Sequence, residues 1–331
     1  MNTKKKFDAS KMIGFFLDNK ALFILIVIAI VMTAIEPKFL SSANLINILR
    51  QVCVSAILGV GYTLVLATGG FDLSIGTMMG LSGIILAMAS KVLPLPVAFL
   101  VGILFGALLG ALNASLINFF DLPPFMVTLS TQTIFKGASY LITKMVPVSG
   151  LPDAFLFMGQ GYIGPIPASV YIMVIMTIIM CIIFYSTKFG RQGLCCGGNP
   201  EAARVCGVNV KRNKLIVYMI MGCYAAVAAI VLTARAASAQ VSAGQGMEMD
   251  TIAAVVIGGT SMRGGKGNII GTVIGCVLVG AVNNGLNLTG LDPNWQVVAK
   301  GLLILIAIIL DTICTRIIAS VRIKQQMERG Q

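Results

Sequence analysis

Histidine is absent from all 331 residues. With it go the commonest general base, the commonest zinc ligand and the usual proton switch near neutral pH, so hydrolytic and metal chemistry lose their first candidates. Charge is scarce as well. Only 11% of the chain is Asp, Glu, Lys or Arg, and no hydrophilic segment is long enough to fold as a separate soluble domain. A domain that converts energy or captures a ligand must therefore belong to other chains. A nucleotide loop is missing too: Thr260-Ser-Met-Arg263-Gly-Gly-Lys266-Gly lacks the G-x-x-x-x-G-K-[ST] spacing, and Gly267 follows Lys266. No nucleophile or acid–base set is evident, so no catalytic residue and no metal ligand is assigned and the chain is not expected to be an enzyme. The lack of paired intramembrane charges also speaks against a proton-driven pump.

What the chain has in abundance is apolar sequence, 57% of it, in runs that approach the length of a bilayer crossing. The fold class that follows is an all-α integral membrane protein. Ten crossings are predicted, at roughly 21–35, 51–68, 73–92, 96–117, 124–143, 164–185, 214–235, 250–262, 268–288 and 296–318. The eighth is short enough to be a broken or half-crossing segment. Lys4, Lys5, Lys6, Lys11 and Lys20 precede the first, which by the positive-inside rule puts the N-terminus in the cytoplasm. An even count then places Lys188, Arg191, Arg204, Lys211, Arg212 and Lys214 inside, with Arg263, Lys266 and the basic C-terminal tail, so count and charge agree. The first run resembles a signal-peptide core but reads as retained, because no small-x-small cleavage site precedes Glu36-Pro37. Glu248, Asp250, Asp292 and Asp311 read as boundary residues and Trp295 as an interfacial anchor. The eight cysteines read as reduced thiols, since five lie in apolar runs and Cys195, Cys196 and Cys206 match no metal spacing.

An internal repeat organises the spans. Gly110-Ala-Leu-Asn113-Ala-Ser-Leu116 matches Gly280-Ala-Val-Asn283-Asn-Gly-Leu286, and Pro123 matches Pro293 at the same offset. The two segments lie in the fourth and ninth spans, which run in opposite directions, so the halves read as inverted copies of the kind found in transport proteins. Gly102, Gly106 and Gly110, with Gly271 and Gly275 in the partner, leave helix faces without side chains and predict close helix packing.

Three polar features interrupt this apolar plan. Gly190–Lys214 is the longest, and within it Asn199 is an N-cap type, Pro200 suits the first helical position, Glu201 favours the positive end of the dipole and Gly207 can end the helix. The result is a short, small-faced helix suited to docking, or else a solvated loop with an incidental turn. Gly69-Gly-Phe-Asp72-Leu-Ser74 joins the second and third spans, where Asp72 either caps the following helix, with Ser74 beside it, or lines a pathway. Amides at Asn113, Asn118, Gln132, Asn283, Asn284 and Asn287 either meet a hydroxylated solute or bond helix to helix.

The stretches Gly69–Gly83 (GGFDLSIGTMMGLSG), Gly197–Val208 (GGNPEAARVCGV), Asp250–Thr272 and Asn283–Leu288 together resemble the permease subunits of bacterial ABC importers of the ribose type. The resemblance runs from the second span to Asp311. It implies one permease domain over residues 1–331, with residues 1–20, 186–213 and 319–331 in the cytoplasm. It further implies a bacterial inner-membrane location and a second permease subunit, alike or paralogous, with the pathway between the two. Cytoplasmic subunits would carry ATP and Mg, this chain binding no cofactor and no nucleic acid, and an extracytoplasmic protein would deliver a ribose-like sugar or polyol. Asn199, Glu201, Ala202, Ala203, Arg204 and Gly207 then resemble the coupling segment that sits in a cleft of the ATPase. Asp72, Ser74, Asn113, Asn118, Asn283, Asn284 and Asn287 are the candidate pathway residues. The competing class is a secondary transporter driven by an ion gradient.

Overall fold

The computed structural model describes residues 20–290 and, beyond them, residues 292, 294, 295, 297–299, 301, 302, 305 and 309. Its helices follow the apolar runs. In chain order they are α1 (Lys20–Ile35), α2 (Ser42–Ala67), α3 (Ile75–Ala89), α4 (Leu95–Phe120), α5 (Pro124–Thr143) and α6 (Asp153–Gln160). There follow α7 (Ala168–Cys181, continued by a π turn over Ile182–Ser186), α8 (Lys188–Gly198), α9 (Pro200–Val205), α10 (Val210–Ala236), α11 (Met247–Ile257) and α12 (Ile269–Leu288). Five segments, Ser42–Ala67, Leu95–Phe120, Ala168–Ser186, Val210–Ala236 and Ile269–Leu288, are long and apolar enough to cross a bilayer on those grounds alone. The N-terminal segment, the C-terminal tail and most of the tenth predicted crossing lie outside the described residues.

Helix ends obey local chemistry. Ser41 caps α2 through Asn44 N–H, Thr187 caps α8 through Gly190 N–H, Asn209 caps α10 through Arg212 N–H, and Asn268 caps α12 through Gly271 N–H. The α2 cap explains why that helix starts nine residues before its predicted span: the first turns are polar enough to mask the apolar run. Between α5 and α7 lie elements the hydropathy pattern does not reveal, namely α6 and two short antiparallel pairings, Val148–Ser149 with Ser238–Ala239 and Tyr162–Ile163 with Ile166–Pro167.

α2 and α10 form the axis of the bundle. The apolar stretch of α2 is 78% buried, against 33% for that of α4 and 22% for that of α7, so α2 is central and α4 and α7 peripheral. The main core joins Ile57, Leu58 and Leu64 of α2 to Met78 and Met79 of α3 and to Tyr218, Met221 and Tyr224 of α10. α10 packs chiefly on α4, and α2 packs on α12. That is the pairing expected if α2–α5 and α10 onward are inverted copies, since spans seven on four and two on nine exchange under the repeat.

Glycines set the closest seam. A methyl group on Gly106 would strike the Gly222 carbonyl, and one on Gly222 would strike the Gly106 carbonyl, so α4 and α10 touch backbone to backbone. Gly271 and Gly275 instead bring α12 against Gly258 and Ala254 of α11. The predicted small-residue faces are therefore packing surfaces within the chain. The seven described cysteines are free.

Candidate functional site

The polar interruption predicted as one short helix is two. α8 precedes it, and its buried face is Gly190, Gly193, Cys196 and Gly197. Methyl groups at Gly190 and Gly197 would strike the Phe184 and Ala67 carbonyls, so the glycines that lower helix propensity are what allow α8 to lie against the end of α2.

α9 then carries its two helix caps in the predicted places. Asn199 Oδ1 accepts from Ala202 N–H at 3.0 Å. At the other end Gly207 adopts φ +83°, its N–H donating to Arg204 O and the Val208 N–H to Ala203 O, both at 3.0 Å, a left-handed cap that closes the helix. Glu201 and Arg204 pair at 3.2 Å across one turn, both well exposed, which contributes less than ~1 kcal/mol. Ala202 and Gly207 are exposed, Val205 stands 89% exposed, and Ala203 is buried beneath the helix. A solvated apolar tip on a helix capped at both ends has no role in holding the bundle together. A shallow groove lined by Arg204, Gly207, Val208, Asn209 and Lys211 runs beside it.

α8 also touches both halves of the bundle. The α2 and α11 C-termini end in the same left-handed glycine cap, with Gly70 N–H to Val65 O at 2.9 Å and Thr260 N–H to Val255 O at 3.2 Å, and Gly69 and Gly259 at φ +74° and +93°. The loop after α11 returns to α2 through Gly265 N–H to Ala67 O at 2.9 Å. Gly197 lies in that junction: a methyl there would sit 2.8 Å from the Gly265 nitrogen as well as against Ala67. Asn118, half-buried, closes the same end by donating to Lys211 O at 2.8 Å.

The other candidate residues lie inside the bundle. Ser74, not Asp72, occupies the N-cap position of α3. Asp72 Oδ1 accepts from the Ser74 N–H at 2.8 Å and its hydroxyl at 2.6 Å, while Asn113 Nδ2 donates to Ser74 Oγ at 2.8 Å. All three side chains are fully buried, and Asp72 Oδ2 and Asn113 Oδ1 have no protein partner. Tyr62 and Tyr218 hydroxyls fasten the same turn by accepting from the Asp72 and Phe71 N–H groups. Asn283 donates to Asp250 Oδ2 at 3.2 Å, and Asn284 exchanges amide bonds with Asn44 at 2.8 and 3.0 Å, tying α12 to α2. Asn287 is exposed near the α12 end. The structure thus joins Asp72, Ser74 and Asn113 into one network and leaves Asn118, Asn283, Asn284 and Asn287 apart from it.

Glu248 lies in the first turn of α11, at the helix end as expected, yet it is 7% exposed, accepting from Gln132 Nε2 of α5 at 3.0 Å, with its second oxygen unpartnered. α11 starts inside the bundle because the loop before it runs in against α3, where Gly244 and Gly76 meet backbone to backbone. Only the spacing of α11, too short for a full crossing, hints at this in the sequence.

A family model described as "branched-chain amino acid transport system / permease component" matches residues 44–308. The chain is 41% identical over 291 residues to a ribose import permease protein of Bacillus subtilis (strain 168), covering 87% of this chain and 90% of that one. It is 38% identical over 306 residues to a ribose import permease protein of Escherichia coli (strain K12), covering 90% and 94%. To a D-allose transport system permease protein of Escherichia coli (strain K12) it is 37% identical over 298 residues, covering 89% and 91%. No solved structure matches the chain.

Proposed function

This chain belongs to the ribose-type branch of the ABC importer permeases, and on that premise we propose that it is the membrane subunit through which such an importer passes a ribose-like monosaccharide or related polyol. Relatives named as ribose and allose permeases support the solute class. In this reading ten spans cross a bacterial inner membrane with both termini in the cytoplasm, residues 1–331 form one permease domain, and residues 1–20, 186–213 and 319–331 are cytoplasmic. A second permease subunit completes the pathway, cytoplasmic partners bind and hydrolyse ATP with Mg, and an extracytoplasmic protein delivers the sugar. This chain supplies no catalytic residue and binds no cofactor itself.

The observation that carries the reading is α9, capped at both ends and exposing Glu201, Ala202, Arg204 and Val205. Closure of the ATPase partners displaces α9, and α8 transmits that displacement to the junction of the two halves at Ala67, Gly197 and Gly265. The pathway then opens toward the docked delivery protein by a shift between two packings. The buried Asp72–Ser74–Asn113 network keeps the α2–α3 turn rigid during that shift.

The test is mild-detergent purification of the tagged chain from its native membranes with mass-spectrometric identification of bound proteins. An ATP-binding subunit is expected with the parent chain and lost from the double variant Glu201→Lys, Val205→Asp, whose spans are untouched. Recovery of the chain alone, together with gradient-driven uptake in liposomes, overturns the proposal.

A further inference from the structure

Pro124–Thr143 has the length of a crossing, 20 residues, yet it is not among the segments apolar enough to qualify as a span by composition. Polar residues lie on both of its faces, with Thr128, Thr131 and Ser139 buried and a stripe turned outward. At 3.6 residues per turn Ser130, Thr133, Lys136, Gly137 and Tyr140 fall in one stripe about 120° wide, which continues the line of the exposed Met126 and Leu129 one turn earlier. Ser130 and Thr133 are exposed, and Lys136, Gly137 and Tyr140 half-buried. Neighbouring α4 turns Leu100, Leu104, Leu108 and Leu112 outward instead, a face matched to lipid.

Lys136 lies roughly 18 Å along the helix axis from Pro124, well inside a span. No carboxylate among the described residues pairs with it, and its Nζ rests 5.9 Å from the centre of the Tyr140 ring. The Ser130 and Thr133 hydroxyls donate to the Met126 and Leu129 carbonyls of their own helix, which leaves oxygen lone pairs facing outward. The acid that packs on α5 from its inner flank, Glu248, is engaged by Gln132. An unpaired ammonium at this depth faces water rather than hydrocarbon.

We propose that the α5 stripe faces the water-filled conduit and that Lys136 is its charge filter, admitting neutral polyhydroxylated solutes while repelling small cations. The proposal deepens the import reading and rests on it for the identity of the conduit. A path wide enough for a sugar is wide enough for hydrated sodium, so steric fit alone cannot keep the membrane tight. A fixed unit charge at ~8 Å and an effective dielectric constant of ~20 depletes cations about thirtyfold. Hydroxyls and a ring face serve a neutral sugar equally well with that charge beside them.

The experiment uses the assembled complex in proteoliposomes, in a background with exposed cysteines replaced by serine. Thr133→Cys is labelled with cationic and anionic thiosulfonates of equal size, with and without Lys136→Gln, and Leu104→Cys serves as the lipid-facing control. Labelling at position 133 is expected to be roughly a thousandfold faster with the anion than with the cation, because the charge that depletes the cation about thirtyfold enriches the anion by a similar factor. Lys136→Gln abolishes the preference, Lys136→Arg retains it, and position 104 stays unreactive. Labelling without charge preference, or none at position 133, overturns the proposal. ATP-driven uptake of D-ribose, D-allose or D-galactose by the parent complex is measured in parallel. Its absence sinks the import reading, whereas its presence with unselective labelling sinks the filter alone.

Discussion

Asn113 and Asn283 hold matching places in the two copies of the repeat, yet the halves around them are built differently. Each donates to a polar group at the start of the short helix before it, Asn113 to Ser74 ahead of α3 and Asn283 to Asp250 in the first turn of α11. The glycines beside them diverge. Gly106 and Gly110 press α4 against α10, across the halves, whereas Gly271 and Gly275 press α12 against α11, within one half. Across the matching α2–α12 contact the closest approaches involve side chains, Val52 against Gly280 and Cys276 against Gly59. Of the two helix pairs that the repeat exchanges, only α4–α10 has a backbone-to-backbone seam, so α4–α10 is the fixed spine and α2–α12 the face with room to rearrange.

The largest effect follows from that seam. Gly106→Val drives a branched side chain into the Gly222 carbonyl, and we expect it to cost more than ~3 kcal/mol and to abolish recovery of a monodisperse protein in detergent. Gly280→Ala meets only the Val52 side chain and should cost about 1 kcal/mol, with near-parental yield. Similar thermal midpoints for the two variants would remove the distinction between spine and face.

Next in size is a change at the junction below both halves. Gly197→Ala meets the Ala67 carbonyl and the Gly265 nitrogen, so it separates α8 from both glycine-capped turns while leaving α9 exposed. The expected outcome is an ATPase partner that still binds, hydrolysing ATP with uptake lowered at least tenfold, a loss of about 1.4 kcal/mol in coupling. Uptake at the parental level would show that α8 does not carry motion between the halves.

The parts legible in the sequence were those decided within a few residues. Asn199 and Gly207 delimit α9 because caps are local, and the apolar runs announce the spans because length against bilayer thickness is a one-dimensional property. α8 was not legible: Gly190, Gly193 and Gly197 argue for a loop by propensity, and their helical role exists only against Phe184, Thr68 and Ala67. The burial of Glu248 was not legible for a related reason, since hydropathy reports a segment's composition and not which neighbours cover the start of its helix. Lys136 lies inside the fifth predicted span but was not singled out, and which face it occupies depends on how α5 packs on α3.

The smallest effect sharpens the comparison where the halves look most alike. Asn113 is fully buried and its partner Ser74 equally so, whereas Asn283 donates to an aspartate that is only half-buried. Removing a hydrogen bond between membrane helices costs ~0.6 kcal/mol on average and up to ~1.7, with the larger values where no water can replace the lost partner. Asn113→Ala should therefore approach the upper figure and Asn283→Ala the lower, read as midpoint shifts in detergent denaturation. The asymmetry also has a functional sign. A joint that water can re-satisfy opens at little cost, so the second half is the one expected to yield when α9 is displaced as proposed. Equal shifts for the two alanine variants would make the joints equivalent and leave the glycine seam as the sole difference between the halves.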